Sequence, residues 1–173
     1  GIDILGQWPD VIDVMIPLAS GGRSSGAIRR HARALGDDES VEWGRHRITT
    51  PLRTTVDLIA SLRFMEAVAA ADQALWLRRD DGALVEASTL LAAADDRAGR
   101  GSARAARAAA FASGLADSVR ESQSRVLIHV LGFPPPELQA RFVLSNGRDA
   151  FTDFFWPHHR HIGEFDGKGK YFD

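Results

Sequence analysis

The chain of 173 residues contains no cysteine. That absence excludes a disulfide scaffold, a thiolate zinc site and a cysteine nucleophile, and it fits a reducing compartment. Long apolar runs are missing too. None reaches membrane-spanning length and no signal peptide is visible, so a cytoplasmic protein with no membrane partner is expected. Neither sign of charge dominates: 21 basic residues stand against 23 acidic ones, a net charge of −2. This balance argues against a generally basic nucleic-acid coat, while leaving room for a local basic patch. No internal repeat is found. The apolar fraction, 45%, is that of an ordinary globular protein, and the length suits one large domain or two small ones. The start at Gly1, without Met, and the end at Asp173 soon after a strand lead us to expect a piece of a longer protein.

The pattern along the chain is α+β. Residues 11–17 alternate and are β-branched, which predicts a strand, and residues 27–33 predict a second after a Gly-Ser turn. Residues 41–49 read as a tight hairpin around Gly44. Thr50-Pro51 then has the form of a helix start, with Thr as N-cap and Pro in the first turn. Helical stretches follow over 51–62, 64–78, 84–94 and 102–113, with glycines between them. A fifth helix is expected over 118–131. Ser118 and Glu121 have capping-box spacing, and Gly132 stops it. After the stiff Pro134-Pro135-Pro136 come three strands, 138–144, 150–156 and 160–166, the first two joined by a turn at 145–148. We therefore expect two parts, with a boundary at 115–116. The front is β over 1–49 and helical over 50–113; the tail, 116–173, is a helix and a three-stranded meander.

The tail carries the chemistry. If Pro157 to Arg160 form a turn, Asp153 falls directly opposite Glu164, and opposite residues of antiparallel strands share a face. Asp166, two residues beyond Glu164, shares it as well. An apolar strand face rarely carries three acids without a cation. Asp153 and Glu164 are therefore the expected ligands of a divalent metal. Mg²⁺, or Mn²⁺, suits such oxygen donors, and no small-molecule cofactor is indicated. The bland readings are a capping role for Glu121, a surface role for Asp153 and a turn role for Asp166-Gly167. The run His158-His159-Arg160-His161 reads as a solvated turn rather than a zinc site, with Arg160 and His161 available to phosphate. Arg100, Arg104 and Arg107 recur at helical spacing. They are either a solvated face or a phosphate-tracking stripe. Trp43 and Trp76 are expected in the core. Arg53 and Asp57, four apart, are expected to pair and, if buried, to pin their helix to the neighbouring sheet.

Helix, strand, strand, strand with acids at Glu121, Asp153, Glu164 and Asp166 resembles the PD-(D/E)xK, or restriction-endonuclease-like, fold. More narrowly, Glu121-Ser122, Asp153-Phe-Phe-Trp-Pro157 and Glu164-Phe-Asp-Gly167 resemble a family of bacterial proteins related to very-short-patch repair endonucleases. The likeness covers roughly the last third of the chain. It implies DNA as partner, metal-dependent phosphodiester cleavage, Asp153 and Glu164 as metal ligands, and Glu121 and Asp166 as supporting acids. The family's lysine two residues after Glu164 is replaced by Asp166, which leaves Lys170 as the candidate lysine and activity in doubt. A core of this type also continues past its third strand, so the tail is expected to be incomplete. The front half resembles what precedes such tails in actinobacterial proteins, and Pro51-Leu-Arg-Thr-Thr-Val-Asp-Leu58 is similar to the R-T-x-x-D-L segment of the AbiEi-type antitoxin family. That likeness is less specific. It implies a toxin-antitoxin or transcriptional-regulator role, with a cognate toxin or other protein as partner. A pure protein-interaction module is a third reading.

Overall fold

A computed structural model describes residues 2–7, 9–20 and 24–166. These form five α-helices and three small sheets, the α+β class expected. Strand β1 (Ile12–Ile16) runs parallel to β2 (Ile28–Ala32), in register Ile12 with Ile28 and Ile16 with Ala32. Strands β3 (Ser40–Trp43) and β4 (His46–Thr49) make the hairpin around Gly44. Gly44 has a φ of +61°, which glycine supplies at little steric cost, as a two-residue hairpin loop requires. Trp43 departs from expectation: it is 67% exposed, not core. Val41, Trp43 and Ile48 share one face of this two-stranded ribbon, and that face is left open.

Helix α1 (Pro51–Ser61) begins as its sequence dictates, the Thr50 hydroxyl accepting from the Arg53 N–H. Helix α2 (Phe64–Leu75) is buried on every side from Ala67 to Leu75. Five of those nine residues are alanine, so the neighbouring helices can approach its backbone closely on several sides. Helix α3 (Ala87–Asp95) starts three residues later than the pattern suggests. The reason is local. The Glu86 carboxylate caps the Thr89 N–H, while Val85 is buried in a bend, its N–H donating to the Ala74 carbonyl. Helix α4 (Ser102–Phe111) enters through Gly101, whose φ is +87° and where an added Cβ would lie 2.3 Å from the Ala60 carbonyl oxygen. Only glycine lets α4 start this close to the end of α1.

Helix α5 (Val119–Val130) closes the helical group against α2. Val126 joins Ile59, Val68 and Leu90 in one apolar core. Arg125 of α5 reaches Asp72 of α2, donating to both carboxylate oxygens at 2.8 and 2.7 Å. Asp72 is wholly buried and also accepts from the Ser113 N–H at 2.7 Å. Burial pushes its carboxyl up, and the guanidinium opposes that push. Both core and ion pair thus cross the expected 115–116 boundary.

The tail forms an antiparallel sheet of order β5-β6-β7: β5 (Glu137–Val143), β6 (Asp149–Trp156) and β7 (His161–Gly163). The β5–β6 turn is the expected one, closed by Leu144 N–H to the Arg148 carbonyl with Gly147 at φ +78°. Strand β7 is shorter than the expected 160–166. Arg160 is left-handed, φ +47°, and belongs to the preceding turn, and the ladder ends at Gly163. Among the described residues no helix is long and apolar enough to cross a membrane.

Candidate functional site

Asp153 lies mid-strand in β6 and is reached from three directions. On the β7 side the register runs Trp156 with His161, Phe155 with Ile162 and Phe154 with Gly163. One further step would set Asp153 opposite Glu164, as the hairpin reading expects. The ladder stops before that step. Glu164 is exposed, and the next backbone N–H, that of Phe165, donates to Asp153 Oδ2 at 2.7 Å.

On the β5 side, Leu138 pairs with Phe154 and Ala140 with Thr152, but the rung between them, Gln139 with Asp153, is missing. Gln139 has a φ of +51°, one of two non-glycine residues with positive φ among the described residues. A left-handed residue inside a strand costs on the order of 1–2 kcal/mol. Such outliers gather at functional sites. Its side-chain amide reaches both Asp153 Oδ1, at 3.5 Å, and Glu121 Oε2, at 3.4 Å.

Glu121 approaches from the first turn of α5. It takes part in the helix cap, although its side chain reaches the Asp117 rather than the Ser118 main chain: the Glu121 N–H donates to the Ser118 hydroxyl at 3.2 Å. That hydroxyl donates in turn to Glu121 Oε1 at 2.9 Å, and the Asp117 N–H donates to Oε2 at 2.9 Å. Burial is the largest influence on the Glu121 carboxyl and pushes it up. The bonds from Asp117 and Ser118 pull it back, and the nearby charges of Asp153 and Asp117 push it up again, for a net rise. Capping therefore does not exhaust Glu121: it also feels Asp153.

The site is thus Glu121, Gln139 and Asp153, from a helix and two strands. The sequence reading missed Gln139, because nothing in its residue type signals a skipped rung. The expected cluster of Asp153, Glu164 and Asp166 is not formed. Among the described residues no three His, Cys, Asp or Glu side chains come together closely enough to hold a metal ion. With β7 ending at Gly163, the chain presents the Phe165 main chain to Asp153, and Glu164 and Asp166 are exposed. Lys170 lies outside the described residues. The donor set that does converge consists of two carboxylates and an amide. The amide turns its N–H donors to both carboxylates, so the oxygens on offer are those of Glu121 and Asp153 alone; carboxylate oxygens suit a hard divalent cation that keeps several waters.

The basic residues expected at DNA are scattered. Helix α4 begins at Ser102, so Arg100 sits in the turn before it. Arg104 donates to the Ser61 and Ala60 carbonyls at 3.1 and 3.3 Å, complementing the C-terminal end of α1. Arg107 lies over the Phe64 ring at 4.0 Å. The stripe is therefore broken by internal contacts. Arg160 and His161 are exposed beside β7, the His161 ring 5.9 Å from that of Trp156. Half-buried Trp76 donates its indole N–H to Asp117, next to the α5 cap. Arg53 pairs with Asp57 at 2.7 Å and with Glu39 at 2.6 Å, tying α1 to the segment that leads into β3.

No protein-family model matches this chain, and no solved structure matches it. The chain is similar to the uncharacterized protein MT2308 of Mycobacterium tuberculosis strain CDC 1551 and to the uncharacterized protein Rv2248 of strain H37Rv. Each is 34% identical over 118 residues, 68% of this chain. The chain spans less than half, 42%, of the length of either relative.

Proposed function

We propose that the tail is a restriction-endonuclease-like domain whose acids bind a divalent metal and act on DNA phosphodiesters. The observation that carries this reading is the meeting of Glu121 and Asp153. They are two like charges from different elements that share the amide of a strained Gln139, and the Asp153 charge adds to the rise that burial chiefly gives the Glu121 carboxyl. A shared cation would offset the repulsion between them, which the Gln139 amide bridges only at the limit of hydrogen-bonding distance. Asp153 and Glu121 would hold the metal; Glu164 and Asp166, expected as its ligand and supporting acid, do not join them, and Lys170, the candidate lysine, lies outside the described residues. Bound Mg²⁺ or Mn²⁺ polarises a phosphoryl oxygen and lowers the pKa of a water. The chain's own part is to fix Asp153 through the Phe165 N–H and Glu121 through its cap, and to offer Arg160 and His161 to the backbone phosphates. A bacterial, cytoplasmic setting completes the reading.

A second reading is favoured by Asp166 standing where the nuclease pattern has lysine. It is a non-catalytic DNA-binding antitoxin or repressor, with a cognate toxin as partner and a decayed nuclease fold. Incubation of the chain with plasmid DNA and Mg²⁺ or Mn²⁺ separates the two. On the nuclease reading nicking occurs, and Asp153→Ala abolishes it while the circular-dichroism spectrum is unchanged. On the regulator reading nothing is cleaved, and salt-dependent DNA binding survives Asp153→Ala.

A further inference from the structure

Asp117, the residue before the Ser118 cap of α5, is gripped by the segment that follows α2. The Trp76 indole N–H donates to its Oδ1 at 2.9 Å, and Arg78 Nη1 donates to its Oδ2. The main chains of the two segments are tied as well, the Leu77 N–H donating to the Gly114 carbonyl at 3.1 Å. Glycine at 114 permits that approach, since an added Cβ would lie 2.3 Å from the Leu75 carbonyl oxygen. Trp76 is braced in turn. The Arg79 guanidinium lies over its ring, 5.6 Å from the centroid, and donates to the Gln73 carbonyl at 3.0 Å.

Ser118 already caps α5 through the Glu121 N–H, so the helix start does not depend on this grip. What the Asp117 main chain does reach is the site. Its N–H donates to Glu121 Oε2 at 2.9 Å, the same oxygen that the Gln139 amide approaches at 3.4 Å. Displacing Asp117 would therefore displace the Glu121 oxygen that faces the sheet. Arg78 touches the other side of the site too. Its guanidinium lies over the Phe151 ring, 5.3 Å from the centroid. Phe151 precedes Asp153 by two residues on β6, so the two share a face of the strand. One half-exposed arginine thus meets both the residue that holds Glu121 and the strand that carries Asp153.

We infer that Trp76 and Arg78 are positioning residues of the Glu121–Asp153 site. They act through Asp117 and Phe151 rather than on the acids themselves, and they set how the two carboxylates stand to each other. The front part of the chain thereby completes a site whose acids both belong to the tail. The inference rests on the metal-binding reading given above. Outer partners that orient a metal's ligands tune its affinity in this way.

Calorimetric titration of the full chain with Mn²⁺ is the first test. Trp76→Phe keeps an aromatic ring, removes the donor to Asp117 and changes no charge. It should weaken Mn²⁺ binding about tenfold, the size of a lost outer partner. Arg78→Gln sets two effects against each other. Losing a cation beside a cation site tightens binding, whereas losing the anchor loosens it, and weaker binding is expected. Arg78→Lys keeps the charge and a donor and should fall between the wild-type chain and Arg78→Gln. The second measurement needs no metal. A carboxylate acceptor moves an amide proton downfield, so at fixed pH the Asp117 amide signal should move upfield in Arg78→Gln. If Trp76→Phe does not fold, Arg78→Gln carries both measurements. Absence of Mn²⁺ uptake by the wild-type chain sinks the metal reading alone, and the Asp117 signal then decides. Mn²⁺ binding unchanged or tightened in Arg78→Gln, or an Asp117 signal that stays in place, overturns the inference.

Discussion

Glu121 and Arg125 lie one helical turn apart on α5, yet their surroundings differ in kind. Arg125 points into the helical core, where its partner is the opposite charge of Asp72. The Ser113 N–H, the Phe111 carbonyl and the Phe111 ring complete the arrangement, and only Arg125 Nε is left without an acceptor among the described residues. Glu121 points at the tail sheet, where the nearest charge, Asp153, has its own sign, and only a strained glutamine amide joins them at the limit of hydrogen-bonding distance. One end of the contact is an electrostatically closed unit. The other holds a surplus of negative charge that nothing among the described residues neutralises. Charges that serve the fold are matched inside it, and an unmatched pair is where a ligand or reaction is to be sought.

The largest effect should come from breaking the closed unit. Arg125→Ala leaves the buried Asp72 carboxylate without its counter-charge, which costs about 3–5 kcal/mol. Urea unfolding should show that loss as a lower midpoint with an unchanged slope. Asp153→Ala, at the open pair, removes a repulsion together with the bond from the Phe165 N–H, and should cost far less than Arg125→Ala. Should Arg125→Ala prove as mild, the contrast between the two ends of α5 fails.

A smaller effect probes Gln139. In Gln139→Gly and Gln139→Val the amide is lost equally, so their difference isolates the backbone. Valine at φ +51° carries a branched Cβ in the left-handed region, while glycine adopts it freely. The valine variant should be less stable than the glycine variant by about 1–3 kcal/mol. Equal midpoints would mean that the skipped rung is not held in the left-handed form, and the case for a built site at Asp153 would weaken with it.

Much of the frame was legible from local chemistry. Thr50-Pro51, Ser118 with Glu121, and Gly44 each set their helix start or hairpin through contacts within a few residues, and the turn at 157–160 places β7 beside β6, although the ladder stops before Asp153 and Glu164 pair. What escaped depends on groups distant in sequence. Gln139 is recognisable only once β6 lies beside it and α5 above it. Trp43 looked like core because its type favours burial, but a two-stranded ribbon has more face than the rest of the chain covers. The length of β7 differs from expectation for a similar reason: apolar residues continue to Phe165, whereas pairing ends when the Phe165 N–H turns to the Asp153 carboxylate.

The mildest test reads the open pair directly. Glu121 should titrate above the ordinary glutamate range, chiefly because it is buried and further because Asp153 faces it. A carboxyl raised in the folded state binds more protons folded than unfolded between its two pKa values. Its share of stability therefore falls as pH rises through that window and is recovered as pH falls. In Asp153→Asn the burial remains and the like charge goes. The Glu121 midpoint, followed by the NMR shift of its carboxyl carbon, should then move down toward the ordinary value without reaching it, and the pH slope of stability should shrink in the same window. If the midpoint does not move, Glu121 and Asp153 do not sense each other, and Glu121 is the helix cap alone.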